Sequence, residues 1–268
     1  MPLINFKAVN KRKMPLRALV PIKQVIEYTV KIRVLKDNTG VDKSGVKMSI
    51  NPFCEIALEE AIRLKEKKLV DEVTAVTIGS PKTQDMLRRA LAMGADNAIQ
   101  VTTEDAIDQK IQPIHVSHIL NELVKQKNSD FVILGKQSID DDYNQTGQML
   151  SSLLNWPMST FISKLERKDD SFYVEREIDG GIQCLEIPTN CVLTCDLRLN
   201  KPRYPKLPDI MKAKKKPIEV REIAEFKLDE LFGVNLLNVQ EPPVRKGGVM
   251  VADVDELLDK LRNEAKVL

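Results

Sequence analysis

The sequence has little of the equipment that enzymes use for acid–base or nucleophilic chemistry. Among its 268 residues are two histidines, His115 and His118, three apart on a predicted helix with Glu122 nearby. A protein metal site needs three or four converging ligands, so we interpret the pair as part of a solvated helix face and expect no metal. The motifs G-x-S-x-G, H-E-x-x-H and G-x-x-x-x-G-K-[ST] are absent, which makes a catalytic enzyme the less favoured class.

Cysteine is also scarce, and its spacing excludes the common redox and zinc motifs. The sequence contains four cysteines, without a C-x-x-C pair or zinc-type spacing: Cys54, Cys184, Cys191 and Cys195. Their surroundings are apolar or strand-like. We therefore expect buried free thiols in a reducing compartment.

Long hydrophobic runs are missing as well. No segment approaches the ~20 apolar residues of a membrane-spanning helix, and residues 1–14 contain no apolar core of a secretory signal. The first 26 residues carry six basic residues and no acidic one. This resembles part of a mitochondrial targeting segment, but serine and periodic apolar residues are missing, so a basic tail fits equally. We expect no direct membrane insertion.

Charge of one sign does not dominate, because 41 basic residues face 39 acidic ones for a net charge of +2. Binding to a polyanion would therefore need a local cluster. One such cluster is residues 201–216, with seven basic residues and one acidic residue. Aromatic residues make up 4% of the chain, too few to interleave the lysines and stack bases, so we expect no nucleic-acid partner.

The same basic segment carries apolar residues between its prolines, namely Leu207, Ile210 and Met211. An apolar anchor with a charged rim is typical of a protein-docking loop. A run of solvated lysines is the other interpretation.

The stretch Phe131–Met149 has the pattern of a strand, a polar loop and a helix. Four apolar residues stop at Gly135, and apolar residues recur at helical spacing after Gln148. In an α/β sheet, such a loop lies at the carboxyl end of its strand, where free N–H groups of the next helix suit a phosphate. Gly147 would let the backbone approach a ligand closely, and Asn144 and Thr146 offer hydrogen-bonding oxygens.

Three consecutive aspartates in this loop, Asp140, Asp141 and Asp142, complicate that interpretation. They would repel a phosphate unless they face hydroxyl groups, a metal or the N–H groups of the helix. A nucleotide-binding loop and an acidic turn that caps the helix both fit the pattern.

Strand and helix patterns alternate from Leu16 to Asn155, which predicts an α/β fold: a mainly parallel, doubly wound sheet with helices on both faces. Asn51 is the expected N-cap of the first helix, with Pro52 at its first position. On that helix, Glu59 four residues before Arg63 predicts a solvent-facing ion pair. Residues 28–35 and 41–50 are expected to form a hairpin.

After Asn155 the predicted strands, residues 159–165, 171–177, 182–187 and 190–197, are expected to form an antiparallel extension of one sheet edge. A terminal helix is predicted over residues 253–265, with capping by Asp253 and Glu256. We expect three parts: an N-terminal extension at residues 1–15, the α/β domain at 16–220 with a loop at about 200–216, and a C-terminal arm at 221–268.

Several stretches together resemble the small (beta) subunit of electron-transfer flavoproteins. They are NPFCE at 51–55, AMGAD at 92–96, GKQ at 135–137 with DDD at 140–142 and NQTGQ at 144–148, VEREIDGG at 174–181, and DLRLN at 196–200 running on to Lys216. Their order is consistent from Leu16 to about Val220. The last fifty residues match loosely, and the first fifteen do not match.

The resemblance implies an adenine-nucleotide-binding fold and a heterodimer with a larger alpha subunit. It implies one FAD at the subunit interface and one structural AMP in this chain. It also implies an electron carrier rather than an enzyme, in which the flavin supplies the redox chemistry. Such a carrier accepts electrons from acyl-CoA dehydrogenases and passes them to a membrane quinone oxidoreductase. Its compartment is the mitochondrial matrix, with the bacterial cytoplasm as the alternative.

The resemblance also assigns residues. The AMP contacts are Pro21, Asn51, Pro52, Phe53, Cys54, Val76, Ile78, Gly135, Lys136, Gln137, Ser138, Asp140, Asp141, Asp142, Asn144, Gln145 and Thr146. Tyr28 and Phe53 match residues near the flavin, and Glu177 matches a carboxylate that pairs with an arginine of alpha. Leu207 matches the anchor of a dehydrogenase recognition loop, and Lys212 and Lys215 match lysines that are methylated in some members. Pro21 departs from the family pattern, since it has no N–H to donate.

Two other function classes compete with the carrier. One is an adenylate-binding regulatory module of similar fold without flavin. The other is an ATP-using ligase-type enzyme, which the missing P-loop and the scarcity of catalytic groups disfavour.

Overall fold

The computed structural model describes residues 16–104, 111–228, 234–244 and 247–268. Their contacts divide the chain into two units. The first unit comprises the residues up to Lys31 together with Lys43–Asn235, and the second comprises Ile32–Asp42 together with Leu236–Leu268. All candidate site residues belong to the first unit. The expected extension at residues 1–15 lies outside the described residues.

Nine strands form one sheet in the first unit. They are β1 Arg17–Pro21, β4 Glu72–Gly79, β5 Asn97–Thr102, β6 Phe131–Gly135, β7 Met158–Lys168, β8 Ser171–Ile178, β9 Gly181–Pro188, β10 Cys191–Cys195 and β11 Glu219–Glu222. The spatial order is β11-β5-β4-β1-β6-β10-β7-β8-β9. All neighbours from β11 to β7 pair in parallel, whereas β8 and β9 continue the sheet antiparallel. Two short strands, β2 Gln24–Ile26 and β3 Met48–Ile50, pair separately and antiparallel.

Helices cover both faces of the parallel part of the sheet. They are α1 Pro52–Glu66, α2 Gln84–Met93, α3 Pro113–Lys127, α4 Thr146–Leu154 and, beyond the sheet extension, α5 Leu207–Ala213. Side chains alternate along the strands, so that Ala18 and Val20 join one core with α1 and α2, while Leu19 joins another with α3 and α4. The doubly wound α/β fold and its antiparallel edge are therefore confirmed.

The second unit contains an isolated bridge between Val34 and Val41 and the short helix α6 Val254–Asp259, followed by a π turn over Lys260–Glu264. The predicted cap of the terminal helix is present, because Asp253 Oδ1 accepts from the Glu256 N–H at 2.9 Å. The Glu256 carboxylate in turn accepts from the Ala252 N–H at 2.7 Å. Within the described part of the chain, no helix is long and apolar enough to cross a membrane.

The predicted hairpin over residues 28–35 and 41–50 forms in part, as a short pairing around Val34 and Val41, whereas residues 48–50 pair with β2. The chain turns directly after β2, with the Val30 N–H donating to the Glu27 carbonyl at 2.9 Å. Further along the chain, Val34 bridges Val41 in an antiparallel sense, the Leu35 N–H donates to the Gly40 carbonyl at 3.0 Å, and the Asp42 N–H donates to the Arg33 carbonyl at 2.8 Å.

The expected antiparallel pairing of residues 190–197 is also wrong. β10 lies between β6 and β7 and is parallel to both. All five of its residues are buried, as expected of an interior parallel strand covered on both faces.

Two expectations about burial fail as well. Cys54, Cys191 and Cys195 are buried free thiols, but Cys184 is exposed on the edge strand β9. Glu59 does not face solvent, because its side chain is 2% exposed and pairs with both Arg63 and Arg203. The helix face expected to be wet is covered by the segment that contains Arg203.

Candidate functional site

Asn51 joins the start of α1 to the loop that follows β6. It occupies the predicted N-cap position, but its side chain makes no cap hydrogen bond. Its amide donates instead to the Gln137 carbonyl at 2.8 Å and to Cys54 Sγ at 3.2 Å, and its oxygen accepts from the Ile139 N–H at 3.3 Å. Asn51 is completely buried, so this side chain fixes the 135–146 loop against the helix.

Gly135 ends β6 where the sheet meets the first turn of α1. A Cβ at this position would lie 2.7 Å from Phe53 Cβ and 2.9 Å from the Cys54 nitrogen. The close approach of two backbone segments therefore requires glycine here. It brings together three of the residues assigned to AMP: Phe53, Cys54 and Gly135.

Lys23 resolves much of the electrostatic difficulty posed by the three aspartates. Its ammonium group lies 2.8 Å from Asp140 and 2.7 Å from Asp141. Burial opposes the charged form of Asp140, but the charge and hydrogen bonds of Lys23 outweigh it and lower the pKa of that carboxyl. Asp142 accepts from the Gln137 amide at 2.7 Å, and Ser138 donates to Asp140. The counter-charge for two of the three aspartates thus comes from Lys23, which follows strand β1.

The loop turns sharply before α4. Asp142 and Asn144 both have φ near 51°, a left-handed conformation that aspartate and asparagine tolerate better than most residues. Asn144 then accepts from the Gln148 amide at 3.1 Å. The other side-chain atom, Gln148 Oε1, is buried without a hydrogen-bond partner. An unpaired acceptor in the first turn of α4 suits a donor group of a ligand.

Gly147 has a packing role that the sequence did not suggest. A Cβ there would lie 2.6 Å from Thr194 Cγ2 on β10. Glycine is therefore needed here for α4 to pack on the sheet, and its role in the approach of a ligand stays a prediction.

The remaining assigned positions near the loop lie on adjacent strands. Pro21 at the end of β1 pairs in register with Val76 on β4, and the next N–H, that of Ile22, donates to the Val76 carbonyl at 2.7 Å. Val76 is buried, and Ile78 packs partly buried on the α3 and α4 side.

Lys136 forms the centre of a cluster that sequence reasoning missed. Its ammonium group pairs with Asp196 at 2.9 Å and lies over the rings of Phe53 at 5.3 Å and Phe161 at 5.4 Å. Phe161 has a φ of 56°, which is strained for a bulky residue, and its N–H donates to Thr194 Oγ1 at 3.2 Å. The register of β7 shifts beside this residue against both of its neighbouring strands, β10 and β8, and the sequence shows no signal for this irregularity.

The residues assigned to the flavin and the alpha subunit differ in exposure. Tyr28 is 74% exposed in the turn after β2, whereas Phe53 is buried. Glu177 at the end of β8 already has a partner in this chain, because Arg198 holds its carboxylate with two nitrogens. Arg198 Nε also bonds Asp196 at 2.9 Å, which connects Glu177 to the Lys136 cluster.

The predicted docking residues lie on or beside α5. Leu207 is 72% exposed and Met211 is 54% exposed, but Ile210 is half-buried and packs against the core. Lys212 and Lys215 are exposed. Tyr204, which sequence reasoning did not single out, is 85% exposed beside them. The segment predicted as a loop is thus partly helical and presents an apolar face with a basic rim.

No group of three or more His, Cys, Asp or Glu side chains suited to a metal occurs within residues 16–104, 111–228, 234–244 and 247–268. The carboxylates of the acidic loop pair instead with the Lys23 ammonium group and the Gln137 amide.

Known proteins resemble this chain over most of its length. The family model described as "Electron transfer flavoprotein domain" matches residues 39–226. A protein of Oryza sativa subsp. japonica named electron transfer flavoprotein subunit beta, mitochondrial, is 50% identical over 253 residues, 94% of this chain and 100% of the rice protein. The human electron transfer flavoprotein subunit beta is 50% identical over 252 residues, 94% of this chain and 99% of its own. The Dictyostelium discoideum subunit beta is 49% identical over 254 residues, 95% and 100% of the two chains.

Proposed function

Because the chain belongs to the electron transfer flavoprotein family as a beta subunit, we propose that it pairs with an alpha subunit in a heterodimer that carries electrons on FAD. The family expected from the sequence is thereby confirmed, and so is the expectation of an electron carrier rather than a catalytic enzyme. The observation that carries the proposal is the match of about 50% identity over essentially the full length of the relatives.

FAD would accept and release the electrons, and this chain would contribute part of its surroundings. The residues proposed to face the flavin are Tyr28 and Phe53. The exposure of Tyr28 supports this role, since a large exposed aromatic is available to a cofactor or partner. The Glu177 carboxylate, exposed on β8 and oriented by Arg198, is proposed to meet an arginine of alpha.

The nucleotide proposed for the loop at Gly135–Thr146 is AMP, bound for stability. The donors and acceptors fit such a molecule. The first turn of α4 offers N–H groups to a phosphate, the buried Gln148 Oε1 offers an acceptor to an N–H or hydroxyl group, and Lys23 neutralises two of the aspartates. Pro21 provides a carbonyl but no N–H, so any contact there is an accepting one.

The partners proposed for the exposed face of α5 are acyl-CoA dehydrogenases, which would reduce the flavin. A quinone oxidoreductase of the membrane would then oxidise it. Leu207 is the proposed anchor. Its 72% exposure supports the role, because an exposed leucine side chain at the start of a helix can enter a pocket of the partner. The basic rim with Lys212 and Lys215 would act mainly on association rate.

The proposed compartment is the mitochondrial matrix. The rice and Arabidopsis relatives are named as mitochondrial proteins.

Co-expression with an alpha subunit tests the proposal. We expect the two chains to purify together as a yellow complex with flavin absorbance and about one FAD per heterodimer, whereas this chain expressed alone should be colourless. A colourless chain that remains a monomer in the presence of alpha contradicts the carrier and supports the adenylate-binding module.

A further inference from the structure

Residues 200–206, here called the stem, are tied to α1 directly before α5 begins. Arg203 Nε donates to Glu59 Oε2 at 2.8 Å, and Arg203 Nη2 donates to Glu66 Oε2 at 2.9 Å. The Arg203 N–H also donates to Glu59 Oε2, at 3.2 Å. One arginine therefore bridges two carboxylates that lie seven residues apart on the same helix.

Further hydrogen bonds from both sides reinforce the attachment of the stem. The Asn200 amide donates to the Ile56 carbonyl at 3.0 Å and to Glu60 Oε2 at 2.9 Å. From α1, Arg63 Nη2 donates to the Lys201 carbonyl at 2.9 Å. The stem thus follows α1 over more than two helical turns.

The other end of α5 is tied to α2. Arg88 Nη1 donates to the Ala213 carbonyl at 2.9 Å and also to the Lys216 carbonyl. Lys216 Nζ donates to the Ala95 carbonyl at 2.8 Å, just beyond the end of α2. Ala213 is buried at this contact.

These attachments matter because α5 has only seven residues. Isolated helices shorter than about 12 residues are marginal in water, so α5 depends on its surroundings for its shape. The attachments hold α5 in place and leave its outward residues, Leu207 and Met211, exposed. A surface fixed before binding loses less conformational freedom when a partner docks.

Arg203 is the residue of the stem that a substitution can test most selectively. Glu59 is buried, with 2% of its side chain exposed, and the planar guanidinium can meet it and Glu66 at the same time. A lysine retains the charge but cannot reproduce this fork of donors. Arg63 still pairs with Glu59 at 2.6 Å, so the buried carboxylate keeps one partner in such a variant.

We propose that Arg203 is a positioning residue for partner docking: by clamping the stem to Glu59 and Glu66, it holds α5 so that Leu207 and the neighbouring Tyr204 are presented in a binding-ready orientation. This inference rests on the proposed function, in which α5 meets the dehydrogenase. Arg203 itself need not touch the partner, since it acts through the placement of Leu207.

The test uses the FAD-loaded heterodimer with its alpha subunit and an acyl-CoA dehydrogenase reduced by its substrate. Flavin reduction is followed at increasing dehydrogenase concentration. If the clamp sets the population of binding-ready α5, Arg203→Lys should raise the half-saturating concentration roughly tenfold, as expected when that population falls to about a tenth. The limiting rate at saturation should stay at the wild-type value. The matched control is Arg221→Lys, at an arginine of strand β11 that donates to Glu225 at 2.6 Å, and it should change neither quantity.

The double variant Arg203→Lys with Leu207→Ala separates positioning from general damage to the fold. If Arg203 acts through Leu207, its effect on the half-saturating concentration should be largely lost when Leu207 is already truncated. An undiminished effect in that background, or wild-type half-saturation for Arg203→Lys alone, overturns the inference. If Leu207→Ala raises the half-saturating concentration and Arg203→Lys does not, the role of Arg203 is overturned and the docking role of Leu207 stands. Wild-type behaviour of Leu207→Ala overturns both the docking role of α5 and the role of the clamp in it.

Discussion

Gly135 and Phe53 lie so close that the backbone of β6 and the first turn of α1 leave no room for a side chain between them. A Cβ on Gly135 would stand 2.7 Å from Phe53 Cβ and 2.8 Å from its carbonyl carbon. Since the second of these atoms belongs to the backbone, a rotamer change cannot relieve the clash. This contact sets the position of the 135–146 loop relative to α1, and with it the shape of the proposed nucleotide site.

We therefore expect Gly135→Ala to lower the free energy of unfolding by about 1–3 kcal/mol, the usual cost of overpacking a core. Urea denaturation measures this directly. Gly180→Ala in the turn between β8 and β9 is the control, because a Cβ there has open space around it. Equal denaturation midpoints for the Gly135 variant and wild type would contradict the close contact.

The proposed nucleotide can be tested at Gln148, whose Oε1 is buried without a partner. If AMP supplies a donor to this oxygen, Gln148→Leu should reduce the AMP extracted from the purified heterodimer below one per chain and lower the melting temperature. Gln148→Leu also removes the hydrogen bond from the Gln148 amide to Asn144, so the AMP content, and not the melting temperature alone, is the deciding readout. Undiminished AMP content in the variant contradicts the assignment. Gly147→Val is a poor choice for this purpose, since it clashes with Thr194 whether or not a nucleotide is bound.

The clamp at Glu59 predicts a pH dependence of stability. Burial favours the neutral form of Glu59, but hydrogen bonds from Arg203 and Arg63 outweigh it and lower the pKa of the carboxyl below its ordinary value of 4.5. A carboxyl with a lowered pKa stabilises the fold above the unfolded pKa and loses that contribution as the pH falls through its folded pKa.

Wild type should therefore be more stable than Glu59→Gln at pH 7, and the difference should shrink below about pH 4.5. Urea unfolding at a series of pH values measures it. The control is Glu122→Gln, which removes an exposed ion pair with Lys125 and should matter little at any pH. A difference that grows on acidification would contradict the account.

The thiols should divide into one reactive and three protected groups. Cys184 is exposed, whereas burial raises the pKa of Cys54, Cys191 and Cys195. At pH 8 we expect one thiol of the native chain to react quickly with a disulfide reagent and four to react after denaturation. Cys184→Ser should abolish the fast reaction. Rapid labelling of two or more native thiols would show that the core is more open than described.

The alternation of strands and helices could be predicted because each element has a strong local signal. Pro52 at the start of α1 and Gly94 after α2 mark helix ends, and the buried strands are short apolar runs. The direction of β10 could not be predicted in this way. Its apolar run fits a parallel or an antiparallel neighbour, and only its insertion between β6 and β7 decides.

The candidate site was predictable as a loop but not as a set of contacts. The three aspartates were visible in the sequence, whereas the counter-charge comes from Lys23, 117 residues earlier than Asp140. Glu59 was misjudged for the same reason, since the arginine that buries it is 144 residues away. Local spacing carries no information about such partners.

We propose that the exposed face of α5 brings this electron carrier to its donor, with Leu207 as the anchor. The most direct test is stopped-flow reduction of the FAD-loaded heterodimer by a reduced acyl-CoA dehydrogenase at subsaturating concentration, comparing wild type, Leu207→Ala and the control Leu153→Ala, an exposed leucine of α4. Truncation of an anchor costs more than about 2 kcal/mol of binding, so we predict a rate more than tenfold lower for Leu207→Ala, with unchanged FAD content, and a near wild-type rate for Leu153→Ala. A wild-type rate for Leu207→Ala would contradict the account and leave residues 202–216 as a segment with another role, such as contact with the alpha subunit.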